Sequence, residues 1–185
     1  MKKIIFISGL VGSGIMILGW VIMTVLAGRP GEMASGSGEL IGLVSMLIGM
    51  LPVIFGIKKV RDQELRGEIS FSNAFLTGIY ITLVISVVYV IGWMIYQPIF
   101  VPDFADNYFG QQIENLENQD LSQADYQELK TKLEGQREDY KKTHLKIFYT
   151  FFEIFPIGFI YTLIGALIMK RKNPDESTAT SAITG

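Results

Sequence analysis

The chain contains no cysteine and only one histidine, His144, in 185 residues. Without cysteine there can be no disulfide, no thiolate metal ligand and no thiol nucleophile. A lone histidine rules out a multi-histidine metal centre within one chain. Charge is scarce as well: 18% of residues are charged against 49% hydrophobic, and the formal net charge is −2. So small a charge gives no electrostatic footprint for nucleic acid. The charges that exist are unevenly placed. They gather near residues 58–68, within 103–142 and at the two ends, leaving four long stretches almost free of them.

Apolar stretches of about 20 residues read as membrane spans. Four are expected, at about 4–27, 40–57, 74–96 and 147–169, so the predicted fold is all-α, a polytopic membrane protein with four transmembrane helices in a small bundle. Met1-Lys2-Lys3 before the first run resembles the start of a signal peptide. The run is nevertheless longer than a signal core of roughly 7–15 residues, and is read as a retained span. Gly9-Leu10-Val11-Gly12-Ser13-Gly14 lacks the Lys-Ser/Thr of a phosphate loop and sits inside an apolar helix, so it marks close helix packing.

Small residues recur along the other spans. Gly42, Gly49 and Gly56 follow one another at seven-residue steps, Ala74, Gly78, Thr82 and Ser86 at four, and Gly158, Thr162 and Ala166 at four. Each set defines a stripe where another backbone can approach. Val84 and Ile164 are expected to face lipid. Pro52 interrupts the second span. Tyr89, Trp93 and Tyr96 form an aromatic belt at the far end of the third, which Pro98 and Pro102 are expected to terminate.

The second and third spans are joined by a compact charged linker. Lys58, Lys59, Arg61 and Arg66 fall within nine positions and face Asp62, Glu64 and Glu68. Gly67 suits a helix C-cap and Ser70, before Phe71, an N-cap. With Lys170-Arg171-Lys172 and the basic N-terminus, this linker predicts that both termini are cytoplasmic, although Lys141, Lys142 and Lys146 flank the opposite end of span four. The residues 173–185 read as a disordered cytoplasmic tail after a single membrane domain, 1–172.

The run Gly56-Ile57-Lys58-Lys59-Val60-Arg61-Asp62-Gln63-Glu64-Leu65, then Gly67-Glu68-Ile69-Ser70-Phe71-Ser72-Asn73-Ala74-Phe75, resembles a bacterial membrane family called domain of unknown function 4199. Pro102-Asp103-Phe104 and Phe155-Pro156-Ile157-Gly158 are similar to it too. The resemblance covers nearly the whole chain. It implies a small four-span protein of the bacterial cytoplasmic (inner) membrane and supplies no catalytic residues.

Between spans three and four, residues 103–143 are expected to form an extramembrane helical hairpin. Phe104, Tyr108 and Leu116 give one apolar edge, Tyr126, Leu129, Leu133 and Tyr140 the other, and Ser122 with Asp125 begins the second arm. Its acidic residues match no calcium loop and read as a solvated face.

Glu153 is the one ionisable residue well inside a span. An acid at that depth is costly facing lipid and should turn inward. Trp20, Ser45 and Tyr89 fall at similar depth and can each donate a hydrogen bond, which makes the four a candidate polar site. No cofactor is implied. The leading expectation is a non-enzymatic accessory or interaction protein, with the lipid bilayer as its surroundings. A protein partner or a homo-oligomer would form through the hairpin or the linker. The alternative is a component of a transporter or channel that uses Glu153.

Overall fold

The computed structural model describes residues 1–27 and 36–171. Residues 28–35, between the first two apolar runs, fall outside the described residues, and the next helix opens at Gly36. The expected tail, 173–185, lies outside them as well.

Six helices are formed: α1 (Lys2–Ala27), α2 (Gly36–Glu64), α3 (Phe71–Phe100), α4 (Phe104–Glu117), α5 (Gln123–Lys141) and α6 (Thr143–Met169). Among the described residues there is no strand, only an isolated antiparallel bridge between Ile69 and Arg171. Helices α1, α2, α3 and α6 are long and apolar enough to cross a membrane. Phe6, Leu18, Phe55, Ile91, Phe148 and Ile160, spread over all four, are each more than half exposed. A girdle of that kind suits hydrocarbon rather than water. The chain is a four-span membrane bundle with a helical hairpin, α4–α5, between the third and fourth spans.

The small-residue stripes make the seams. On α3, Ala74, Gly78, Thr82 and Ser86 are all buried, and on α6 so are Gly158, Thr162 and Ala166. Thr82 Oγ1 donates to the Gly158 carbonyl at 3.2 Å and lies 3.1 Å from Thr162 Oγ1. A methyl group added at Gly78 would come within 2.7 Å of Thr162 Cγ2. In lipid, where burial of apolar area does not drive helices together, such contact supplies the dispersion and hydrogen-bond energy that does. A second seam joins α1 to α2, where Gly12 and Gly49 approach backbone to backbone; a Cβ on Gly49 would lie 3.1 Å from the Gly12 carbonyl oxygen.

Three expectations need correction. Among the described residues, nothing lies within 4 Å of where a Cβ on Gly42 would be, so none of them extends the α2 seam to it. Val84 does not face lipid alone, because it fills the gap left by Gly9 on α1. Ile164 is 43% exposed, as a lipid-facing residue should be. Pro98 does not end α3, which runs on to Phe100. There the Gln97 side chain ties off the helix end, donating to the carbonyls of Val101 and Pro102 at 3.1 Å each. The last turn therefore tolerates a proline.

Local chemistry sets the remaining boundaries. Arg66 and Gly67 adopt φ of 55° and 91°, turning the chain after α2, and Gly67 N–H reaches the Arg61 carbonyl at 2.9 Å. Ser70 caps α3 by accepting from Asn73 N–H. Ser122 caps α5 by accepting from Asp125 N–H at 3.2 Å and donating to the Asp125 carboxylate at 2.6 Å. Helix α5 does not run unbroken into α6, since Lys142 leaves helical geometry at φ −80°, ψ 120°. In the hairpin, Leu129 is exposed rather than part of the packed edge, whereas Ala105 and Phe109 are buried beside Leu116.

Candidate functional site

At the linker end of the bundle the interior is dry and full. Met50, Val53, Ile57, Ile81, Ile85 and Ile154 have essentially no exposed surface. Toward the hairpin end a cavity of about 720 Å³ opens, lined by residues of all six helices. Trp20, Ser45, Tyr89 and Glu153, brought together from four different helices, all line it. Of its described lining residues, Glu153 alone is charged. Its side chain is exposed, and the cavity is what reaches it.

The walls are aromatic and rigidly held. Trp20 packs against Tyr89 and Trp93 with ring centroids 4.4 and 5.1 Å apart, and its indole N–H donates to the Tyr89 hydroxyl at 3.2 Å. The Tyr96 hydroxyl donates to the Trp20 carbonyl at 3.1 Å, next to Thr24. Trp93 donates to the Tyr140 hydroxyl at 2.7 Å, so the second arm of the hairpin is fastened to the third span. Phe104 sits edge-on to Trp93 at 5.0 Å. Tyr140 in turn stacks on Tyr149 at 6.5 Å, and Lys146 lies 5.5 Å from its ring centroid. Burial pushes the Tyr140 phenol well above its ordinary range, so it stays neutral and serves as a hydrogen-bonding group.

Sequence reasoning missed several of these residues. Gln97 accepts from the Lys146 ammonium at 2.7 Å while its amide nitrogen closes α3. A long amide next to a span's terminal proline was the available signal. Thr150 is buried on the cavity wall, with its hydroxyl beside that of Tyr140. No motif in the sequence sets it apart from other threonines in the spans.

The charged linker forms a separate assembly at the opposite end. Lys58 and Lys59 are exposed on α2. Arg61 donates to the Asp62 carboxylate at 2.7 Å and to Met169 Sδ at 3.6 Å, which joins α2 to the end of α6. Glu64 pairs with the amino group of Met1. The Ile69–Arg171 bridge, with N–H···O distances of 3.3 and 2.9 Å, holds the chain entering α3 against the chain leaving α6. Gly67 and Ser70 shape the turn, and Phe71, 40% exposed, stacks on Phe75 at 5.9 Å. These residues fasten helix ends together, and none of them lines the large cavity.

A family model described as a protein of unknown function, DUF4199, matches residues 8–171, which takes in the linker, the hairpin and the cavity. Comparison with curated proteins and with solved structures gives no match.

Proposed function

The chain belongs to the DUF4199 family, and we propose that it is a non-enzymatic accessory protein of the bacterial inner membrane that holds a small amphiphilic ligand in the cavity beneath its hairpin. One observation carries this reading: a volume of about 720 Å³, within the roughly 300–1,000 Å³ range of ligand sites, lined by rigid aromatics and one carboxylate. Among the described lining residues there is no second carboxylate, histidine or lysine to share acid–base work with Glu153, which favours binding over turnover.

Both termini are on the cytoplasmic side in this reading and the hairpin is outside. The Met1–Glu64 ion pair and the Ile69–Arg171 bridge support this, because they gather both ends of the bundle and the basic linker on one side. A channel or transporter component using Glu153 is the second reading. The open access to Glu153 favours it, and the sealed layer from Met50 to Ile57 opposes it for a single copy.

Native mass spectrometry tests the proposal, on protein released from nanodiscs of phosphatidylethanolamine and phosphatidylglycerol. Wild-type protein should carry a bound non-protein mass. Gly42→Phe, which grows into open space at the cavity wall, should lose it while remaining folded. A wild-type chain that flies bare under conditions that keep the bundle folded would overturn the proposal.

A further inference from the structure

The chemistry of the cavity narrows the ligand. Resting on the reading above, we propose that the occupant carries an ammonium group on a hydrocarbon tail, with the head between Glu153 and the faces of Trp20, Tyr89 and Tyr149, and the tail leaving between α2 and α6.

Three observations converge on the head group. First, Glu153 is the only charged side chain among the described lining residues, so what they contribute is a single negative charge. Second, Trp20, Tyr89, Trp93 and Tyr149 line the same cavity, and aromatic rings attract organic cations whose hydration is weak. A bare metal ion would instead favour several charged oxygen ligands, and the described lining residues supply a single carboxylate, their other oxygens being neutral hydroxyls and amides. Third, neutral oxygens stand on the same walls: the Tyr89 hydroxyl, which accepts the Trp20 indole N–H at 3.2 Å, and the Thr150 hydroxyl, 3% exposed, both line the cavity.

The path of the tail follows from how α2 and α6 separate. They touch where Met50 lies 3.1 Å from the position of a Cβ on Gly158, and where Ile54 meets Gly165. Nearer the hairpin, Gly42, Leu43 and Ser45 on α2, and Tyr149 and Glu153 on α6, line the cavity from either side. Leu43 is 48% exposed as well as lining the cavity, so it marks an apolar exit toward lipid. A polar head beside Glu153 with a chain running out past Leu43 satisfies both surroundings.

Both tryptophans of the chain line the cavity, so intrinsic fluorescence reports directly on occupancy. The probes are decyltrimethylammonium, decyl sulfate and neutral decyl maltoside, each titrated below its micelle concentration. The protein is the full chain in nanodiscs of phosphatidylglycerol alone. Wild-type protein should saturate with the ammonium probe at a concentration about tenfold or more below the other two. Glu153→Gln, which preserves shape, should level the three probes. Equal response to all three in wild-type protein overturns the proposal even if the variant fails to fold, and so does an ammonium preference that survives in folded Glu153→Gln. Adding phosphatidylethanolamine separates the sources. A raised midpoint supports an aminolipid head as the occupant, and an unchanged midpoint supports a soluble amphiphilic amine. A bound mass in native spectra without ammonium preference defeats this inference and leaves the binding cavity standing. Neither a bound mass nor a titration defeats both.

Discussion

Replacing Gly158 by alanine adds one methyl group at a tight place in the α3–α6 seam. Its Cβ would lie 3.0 Å from Thr82 Oγ1 and 3.1 Å from Met50 Sδ, and closer still to Thr82 Cγ2. Neither neighbour can retreat easily, since Thr82 and Met50 have no exposed surface and Thr82 is bonded to the Gly158 carbonyl. Overpacking of this kind costs about 1–3 kcal/mol. Alanine also favours helix over glycine by up to about 1 kcal/mol, which blurs the sign of a single measurement. Gly14→Ala removes that ambiguity: Gly14 is likewise inside a span, but a Cβ there meets nothing within 4 Å. The propensity gain cancels in the comparison, so the two variants should differ by the overpacking alone, roughly one to two powers of ten in the unfolding constant. Reversible unfolding in mixed detergent with added dodecyl sulfate, followed by circular dichroism, measures it. Thr82→Ser removes the methyl group that the new Cβ meets while keeping the hydroxyl, so it should rescue Gly158→Ala, and a double-mutant cycle quantifies the rescue. If Gly158→Ala and Gly14→Ala prove equally stable, the α3–α6 seam is not what holds the bundle.

Two further outcomes are expected. Cysteines introduced singly at the exposed positions Gln63 and Gln119 should react with impermeant reagents from opposite sides of the membrane, Gln119 from outside; labelling from one side would reject the orientation. Trp93→Phe keeps a ring against Phe104 but withdraws the donor from the Tyr140 hydroxyl, a change of about 1–3 kcal/mol where the phenol stays buried. Hydrogen exchange should accelerate around Tyr140 while the amides of α3 near Thr82 stay protected, and unchanged exchange at Tyr140 would show that this bond does not fasten the hairpin.

The features legible in the sequence were those set by a residue's own neighbourhood. Spans follow from hydropathy. Ser70, Ser122 and Gly67 act on amides and turns only a few positions away. The stripes of α3 and α6 were readable because a seam in lipid needs little more than the absence of side chains at the right spacing. Gly42 shows the limit of that rule: it continues the spacing of Gly49 and Gly56, yet among the described residues nothing lies within 4 Å of where its Cβ would be, while Ser45, outside that spacing, packs on Gly19. The hairpin was misread for a related reason. Its buried edge, with Phe109 in and Leu129 out, is chosen by where Trp93, Phe104 and Tyr140 anchor it, and those contacts join residues far apart in sequence. Equal depth was enough to pick out Trp20, Ser45, Tyr89 and Glu153 as candidates, but depth carries no information about the volume they enclose.

That volume has its own physical origin, in a gradient of side-chain size along the spans. Glycine, threonine and alanine bring α3 and α6 close from Gly158 onward, and Gly12 and Gly49 do the same for α1 and α2. Toward the hairpin the same helices carry Trp20, Tyr89, Trp93 and Tyr149, whose rings hold the backbones apart. Helix α1 stays close to α2 at Gly19 and Ser45 and to α3 at Gly92, so the opening lies between these helices and α6, and the hairpin roofs it, fastened by Tyr140. Closing the cavity would therefore require compressing the rigid ring contacts among Trp20, Tyr89 and Trp93 rather than merely turning a side chain. The cavity is for that reason a built feature of the bundle, set by these aromatic contacts.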